Sequence, residues 1–248
     1  TPLWPVMHRT QGQVFVLRSA AYDEFRFYQQ WYRMGQAQNW VEFQEALQIN
    51  AIPMFNTGYA DKDGNIYYLW NGTIPNLPHA KQRDVAVHAH ETNDVWTRFH
   101  DLTELPQWFN PEGGHIFNSN SAQYLTNLYS PVARENFPPH FPDNRLSLRS
   151  QHSLLLIHND EQYSLEDVVE MKHSMKALLA DRVKGDLIAA ALRSEPDAEL
   201  RKAVQRLYGW DNTVSRDSQG SVLFKTWWDV YSKDEDGGNR DDDENYAV

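Results

Sequence analysis

The sequence of 248 residues contains no cysteine. Disulfides and thiolate zinc sites are therefore excluded, while the redox compartment is left open. No apolar run approaches the length of a membrane span. Positive charge is the scarcer sign: 23 Lys and Arg face 34 Asp and Glu, for a net charge of −11. A nucleic-acid partner is not expected, because binding phosphates by counterion release needs clustered Lys and Arg. The imbalance is uneven, since residues 234–248 hold seven acids and one base, a net −6. The body of the chain is only mildly acidic. Gly-x-Ser-x-Gly, Gly-x-Gly-x-x-Gly and the phosphate-binding loop are all absent, so no local motif marks a serine elbow or a nucleotide site. The N-terminus has neither an initiator Met nor the basic-then-apolar layout of a signal peptide, so the chain reads as processed or excised.

Aromatic side chains are plentiful. Nine Trp, twelve Tyr and eleven Phe make up 13% of the chain, and hydrophobic residues 41%. That is ample for a packed core, so the chain reads as mainly globular.

Residues 13–18, Gln-Val-Phe-Val-Leu-Arg, read as a buried strand. Phe25, Tyr28, Trp31 and Tyr32 recur at helical spacing, which predicts a helix over 23–34 ending near Gly35. Asn39 then caps a helix over 40–48, with Phe43 and Leu47 on one face. Residues 53–60 and 65–70 form the clearest unit, two strands joined through Asp61-Lys-Asp-Gly64. Asp-Gly is strong hairpin chemistry because Gly accepts positive φ. The Asp61-x-Asp63-Gly64-Asn65 pattern lacks the later Glu and the sixth-position Gly of a calcium loop, and reads as a turn. Residues 72–108 and 124–144 read as irregular. From Arg145 to Tyr231 the pattern is helical: 145–156, a capping box at Ser164 opening a helix to about 182, then 184–193, 197–207 and 221–231. Three parts result: a sheet-containing portion over 1–144, a helical portion over 145–232 and an acidic tail over 233–248.

Residues 110–121, Asn-Pro-Glu-Gly-Gly-His-Ile-Phe-Asn-Ser-Asn-Ser, combine a sharp turn with closely spaced amides. Asn-Pro and Gly-Gly stop regular structure. If the following piece is a strand, Ile116 and Phe117 anchor it while Asn118 and Asn120 point to one face. Such amides could be donors for a negative oxygen, or simply turn chemistry. His79, His88, His90, His100 and His115 cluster in sequence. His88 and His90, with Glu91 or Asp94, are raw material for a metal hydrolase site, set against ordinary loop histidines. Arg145 and Arg149, four apart, would share one helix face. Thr1 could in principle be a terminal nucleophile, but Pro2 follows it and an ordinary strand comes next.

Several of these stretches together resemble the penicillin amidase family of N-terminal-nucleophile hydrolases. They are Arg9-Thr-Gln-Gly12 before a strand, with Gln11 where the family carries His; Asn39-Trp40 opening a helix; Asn56-Thr-Gly-Tyr-Ala-Asp-Lys-Asp-Gly-Asn-Ile66 followed by Gly72 and Pro75; Asn110-Pro-x-x-Gly-x-Ile-x-Asn-x-Asn120; Arg145; and Trp210-Asp211 before Leu223-Phe224-x-x-Trp227. The resemblance implies an α+β fold, part of the αββα sandwich of these hydrolases followed by a mostly helical segment. It implies hydrolysis of linear amides, such as β-lactam side-chain amides or N-acyl-homoserine lactones, by a serine whose own terminal amine is the base. Asn120 takes the place of the oxyanion-hole amide and Arg145 that of its supporting arginine, with Arg149 as the alternative. Asn118 is left as scaffold. No cofactor and no metal are implied. The nucleophile is expected upstream of Thr1, which makes the chain an internal fragment of the large chain, inactive alone. The implied partners are a small-molecule amide and the remaining segments of the parent acylase, and open sheet edges would allow self-association. The implied location is the periplasm or the exterior. A noncatalytic binding or scaffold domain of the same architecture is the alternative.

Overall fold

The computed structural model describes residues 4–20, 22, 24–77, 86–89, 96–120, 123–159 and 162–233. The chain divides into two units, Thr1–Arg145 and Leu146–Val248.

The first unit opens with a hairpin of β1 (Val6–Thr10) and β2 (Gln13–Val16), turned at Gly12 with φ +87°. The expectation of a buried strand over 13–18 is corrected. β2 is shorter, among the described residues pairs only with β1, and all four of its residues are exposed. An alternating or apolar sequence secures strand geometry, but burial needs a further layer, and a two-stranded ribbon supplies none.

Helix α1 (Phe27–Gln36) starts later than its periodicity suggests and runs through Gly35. Most of its aromatic residues face outward: Tyr28, Trp31 and Tyr32 are exposed, as is Phe25 just before it, while Phe27 is half-buried. The residue turned inward is Gln30, fully buried, whose Oε1 accepts the Ala51 N–H at 2.7 Å. Helix α2 (Trp40–Leu47) begins where expected. Asn39 Oδ1 accepts the Glu42 N–H at 3.0 Å, satisfying one of the free donors of the first turn. Phe43, Ala46 and Leu47 form its buried face.

Strands β3 (Phe55–Ala60) and β4 (Ile66–Asn71) pair antiparallel as the Asp-Gly turn requires. The turn is built on Asp61, whose carboxylate accepts the N–H groups of Asp63 and Asn65, the Asn65 amide and the Tyr59 hydroxyl. A third strand, β5 (Gln107–Phe109), pairs with β4 on its other side. It falls within a stretch expected to be irregular. Three residues after Pro106 are too few to show a period, and the pairing is decided by β4. The core of this unit gathers Phe43 and Leu47 from α2, Tyr67 and Leu69 from β4, and Leu102, Leu105 and Phe141 from the connecting segments.

The described residues of the second unit form five helices: α3 (Leu148–Ile157), α4 (Leu165–Lys172), α5 (Leu178–Arg193), α6 (Ala198–Tyr208) and α7 (Gln219–Tyr231). Ser147, Ser164, Asp197 and Ser218 cap four of them, each accepting a first-turn backbone N–H. One boundary is corrected. The helix expected from Ser164 to about 182 stops at Lys172, and the expected break near 183 does not exist. Residues 175–177 are drawn out straight instead, because Ala177 N donates to Asn212 O and Val214 N to Met175 O, each at 2.8 Å. A distant backbone partner thus outbids local helix propensity. Ala180, Val183, Leu207, Trp210 and Phe224 make the core of this unit.

Candidate active-site loop

The loop over 110–120 is bound at its start to the sheet. Asn110 has φ +47°, a left-handed conformation that Asn tolerates better than most residues. Its N–H donates to Ile66 O at 2.9 Å and its Oδ1 accepts the Ile66 N–H at 2.8 Å. Asn110 Nδ2 also donates to Asn65 Oδ1 at 3.1 Å. The chain then turns through Gly113 (φ +80°) and Gly114 (φ +65°). At Gly113 a Cβ would stand 2.4 Å from Tyr129 Cδ2, so the position excludes any side chain on both counts.

Beneath the loop lies Asn127, fully buried. Its Nδ2 donates to Glu112 O at 2.8 Å and His115 O at 2.7 Å. Its Oδ1 accepts the N–H groups of Tyr129 at 2.8 Å and Ser130 at 3.0 Å. One amide therefore ties the two limbs of the loop together. Trp108 on β5 joins the same network, donating from Nε1 to Ser130 O at 2.8 Å.

Residues 115–120 are not a strand, and the expected common face for Asn118 and Asn120 is corrected. Asn118 is half-buried and structural. Its Nδ2 donates to the Tyr68 hydroxyl at 3.2 Å, and that hydroxyl donates to Asn56 Oδ1 at 2.5 Å. Its Oδ1 accepts the Asn120 N–H at 2.7 Å. Burial pushes the Tyr68 phenol well above its ordinary value, so it stays a neutral donor. Asn120 follows at φ +58° with an exposed side chain. The turn from Asn118 thus presents Asn120 outward from an anchored base.

Arg145 lies ahead of α3, not on it, because the helix starts at Leu148 behind its Ser147 cap. The expected helical pairing of Arg145 with Arg149 is therefore absent. Arg145 is exposed and makes no hydrogen bond or ion pair among the described residues. The arginine turned inward in this part of the chain is Arg134, which donates to the carbonyls of Phe137 at 3.1 Å, Pro139 at 3.1 Å and Phe141 at 2.8 Å. Neither Asn127 nor Arg134 stands out in the sequence, since a lone amide or a lone arginine in a loop carries no spacing signal.

Of the sequence-predicted histidines, His79 and His90 lie outside the described residues, as do Glu91, Asp94, Thr1, Ser121 and the acidic tail from 234. His100 bonds Glu104 and His140, and His115 bonds the Gly113 carbonyl. Among the described residues no three His, Asp or Glu side chains converge on a common metal position. No helix among them is long and apolar enough to cross a membrane.

Residues 1–242 match the penicillin amidase family. The chain belongs to the penicillin amidase family. Within it, the chain is 23% identical over 195 residues to the acyl-homoserine lactone acylase PvdQ of Pseudomonas fluorescens, covering 70% of this chain and 25% of that protein. A thermostable penicillin G acylase from Alcaligenes faecalis has the same fold over 91% of this chain and 41% of the acylase chain, with a TM-score of 0.61 at 22% identity. The α+β architecture is therefore that of a penicillin-acylase-like N-terminal-nucleophile hydrolase. This penicillin amidase family member spans less than half the length of either relative.

Proposed function

We propose that this chain supplies the oxyanion-stabilising part of an acylase that hydrolyses linear amides, with the nucleophilic serine delivered by another segment of the parent protein. Family membership supports the amide-hydrolase chemistry, and the name of the Pseudomonas relative supports an acylated amine as substrate class. The observation that carries the reading is the anchored turn at Asn118, which holds Asn120 in a left-handed conformation with its side chain accessible.

The chemistry assigns each group a part. The serine Oγ attacks the amide carbon while its own α-amino group, with a pKa of about 8, takes the proton. The carbonyl oxygen becomes an oxyanion, and Asn120 Nδ2 donates a hydrogen bond to it. The amine then leaves with the proton, and water hydrolyses the acyl-enzyme. Donors fixed before the reaction stabilise developing charge without reorganising, which is why the Tyr68–Asn118 support matters. By the family resemblance, Arg145 is assigned as a supporting cation for the same amide once the parent's other segments are in place. The exposed β2 and the aromatic face of α1 are assigned to contacts with the remaining segments of the parent. The parent is assigned to the periplasm or the exterior.

The test is the full-length protein assayed with phenylacetyl and long-chain acyl amides. Asn120→Ala is expected to lower kcat by about 10²–10³-fold with a small change in KM. This chain alone is expected to give no turnover above background. Turnover by the isolated chain, or full activity of the Asn120→Ala parent, would overturn the reading.

A further inference from the structure

Outside the loop, two imidazoles face each other in the first unit. His100 is 5% exposed, and its Nε2 lies 3.2 Å from His140 Nε2, with the ring centroids 5.3 Å apart. The outer nitrogen of His100, Nδ1, is bonded to Glu104 Oε2 at 3.1 Å. That carboxylate is itself held by the Asp101 N–H at 2.9 Å in the capping box of residues 101–104. A carboxylate accepts only, so Nδ1 of His100 carries the proton and its Nε2 offers a lone pair toward His140. Phe141 stands edge-on to both rings and walls one side of the pair.

We propose that His100 and His140 form a two-imidazole site for a borderline divalent transition-metal ion of the zinc, nickel or copper class. Imidazole nitrogen suits these ions, and metal–nitrogen bonds of about 2.0–2.1 Å at tetrahedral or octahedral angles set the two nitrogens about 2.9–3.4 Å apart. The observed spacing falls within that window. Without metal, the same spacing is held by a hydrogen bond from His140 Nε2 to His100 Nε2. On binding, the His140 proton moves to the other ring nitrogen, so both Nε2 atoms become ligands and no net proton is released. Glu104 then orients His100 as carboxylates orient metal-bound imidazoles elsewhere. Water fills the remaining positions. The ion would clamp the segment at His100 to the segment at His140. The site is independent of the acylase reading, because its readout is binding rather than turnover.

The test is calorimetric titration of this chain with zinc and nickel, with copper(II) spin resonance as the reporter of nitrogen ligands. The expected result is one equivalent bound, a raised melting temperature and a copper spectrum showing two imidazole nitrogens. His140→Gln, at a half-exposed position, is expected to weaken binding more than about tenfold, and Glu104→Gln about 10–100-fold, with the fold intact by circular dichroism. His152→Gln, in the second unit, should leave binding unchanged. Binding by His140→Gln equal to that of the unmodified chain, or a copper spectrum unaltered by that change, would overturn the proposal.

Discussion

Asn110 and Ile66 exchange two hydrogen bonds, one through the Asn110 backbone N–H at 2.9 Å and one through its side-chain oxygen at 2.8 Å. The side chain stands in for a backbone carbonyl. It lets the chain leave β5 in a left-handed turn while the start of β4 keeps its partner.

Asn110→Ala is accordingly expected to destabilise the chain by about 1–2 kcal/mol, from the lost acceptor and the strain of positive φ on a residue with an unhelpful side chain. Asn110→Asp keeps the acceptor and should lose less. Urea midpoints of the two variants measure the difference, and equal losses would show that the acceptor does not matter.

Asp61 gives a pH dependence of definite sign. The hydrogen bond from the Asn65 side chain, helped by the backbone N–H groups of Asn65 and Asp63, lowers its pKa to about 2. An unfolded Asp titrates near about 3.9. The folded state therefore prefers the ionised form. The stabilisation is complete above pH of about 4 and is lost as pH falls toward about 2. Urea midpoints collected between pH 5 and pH 2 should fall less steeply for Asp61→Asn than for the unmodified chain.

Asn127 is fully buried and makes four hydrogen bonds to the backbone. Asn127→Ala leaves a cavity and removes the partner of two carbonyls and two N–H groups, and is expected to cost about 2–3 kcal/mol. Limited proteolysis should show new cleavage within residues 111–120, since these lose their tie to residues 127–130. Unchanged protection there would mean the loop is held by other contacts.

Gly220 on α7 tests packing in the second unit. Ala in a helix ordinarily gains about 1 kcal/mol over Gly. Here a Cβ would stand 2.4 Å from both Cβ and Cγ of Trp210. Those atoms sit next to the Trp210 backbone and cannot swing away, so overpacking of about 1–3 kcal/mol outweighs the propensity gain. A lower melting temperature for Gly220→Ala is expected, and a higher one would refute the contact.

Much of the local structure was legible because it is decided locally. Asn39 and Ser164 each carry a side-chain acceptor placed to bond the N–H three residues on, which is a property of short-range geometry. The Asp-Gly turn made the β3–β4 hairpin plain for the same reason. The family resemblance, spread over many short motifs, was also in the sequence, and it pointed to the 110–120 loop before its geometry was visible. Periodicity announced a helix here but not which of its faces is buried. Phe25, Tyr28, Trp31 and Tyr32 mark a helix, yet it is Gln30 that turns to the core, because Ala51 offers it a backbone N–H.

By itself, then, the sequence determined the tight turns, several caps, the family and the two closely spaced amides of the 110–120 loop. The tertiary structure alone decided which of those residues are scaffold and which are presented. Asn118 and Asn120 are the same residue type two positions apart, and nothing local separates them. Tyr68, brought from β4, claims the first amide through its buried hydroxyl, and the turn this fixes leaves the second facing solvent. The same holds for the His100–His140 pair, whose two rings come from positions forty residues apart. A hydrogen bond is chosen by what lies within about 3 Å, and over long separations only the folded chain determines that distance.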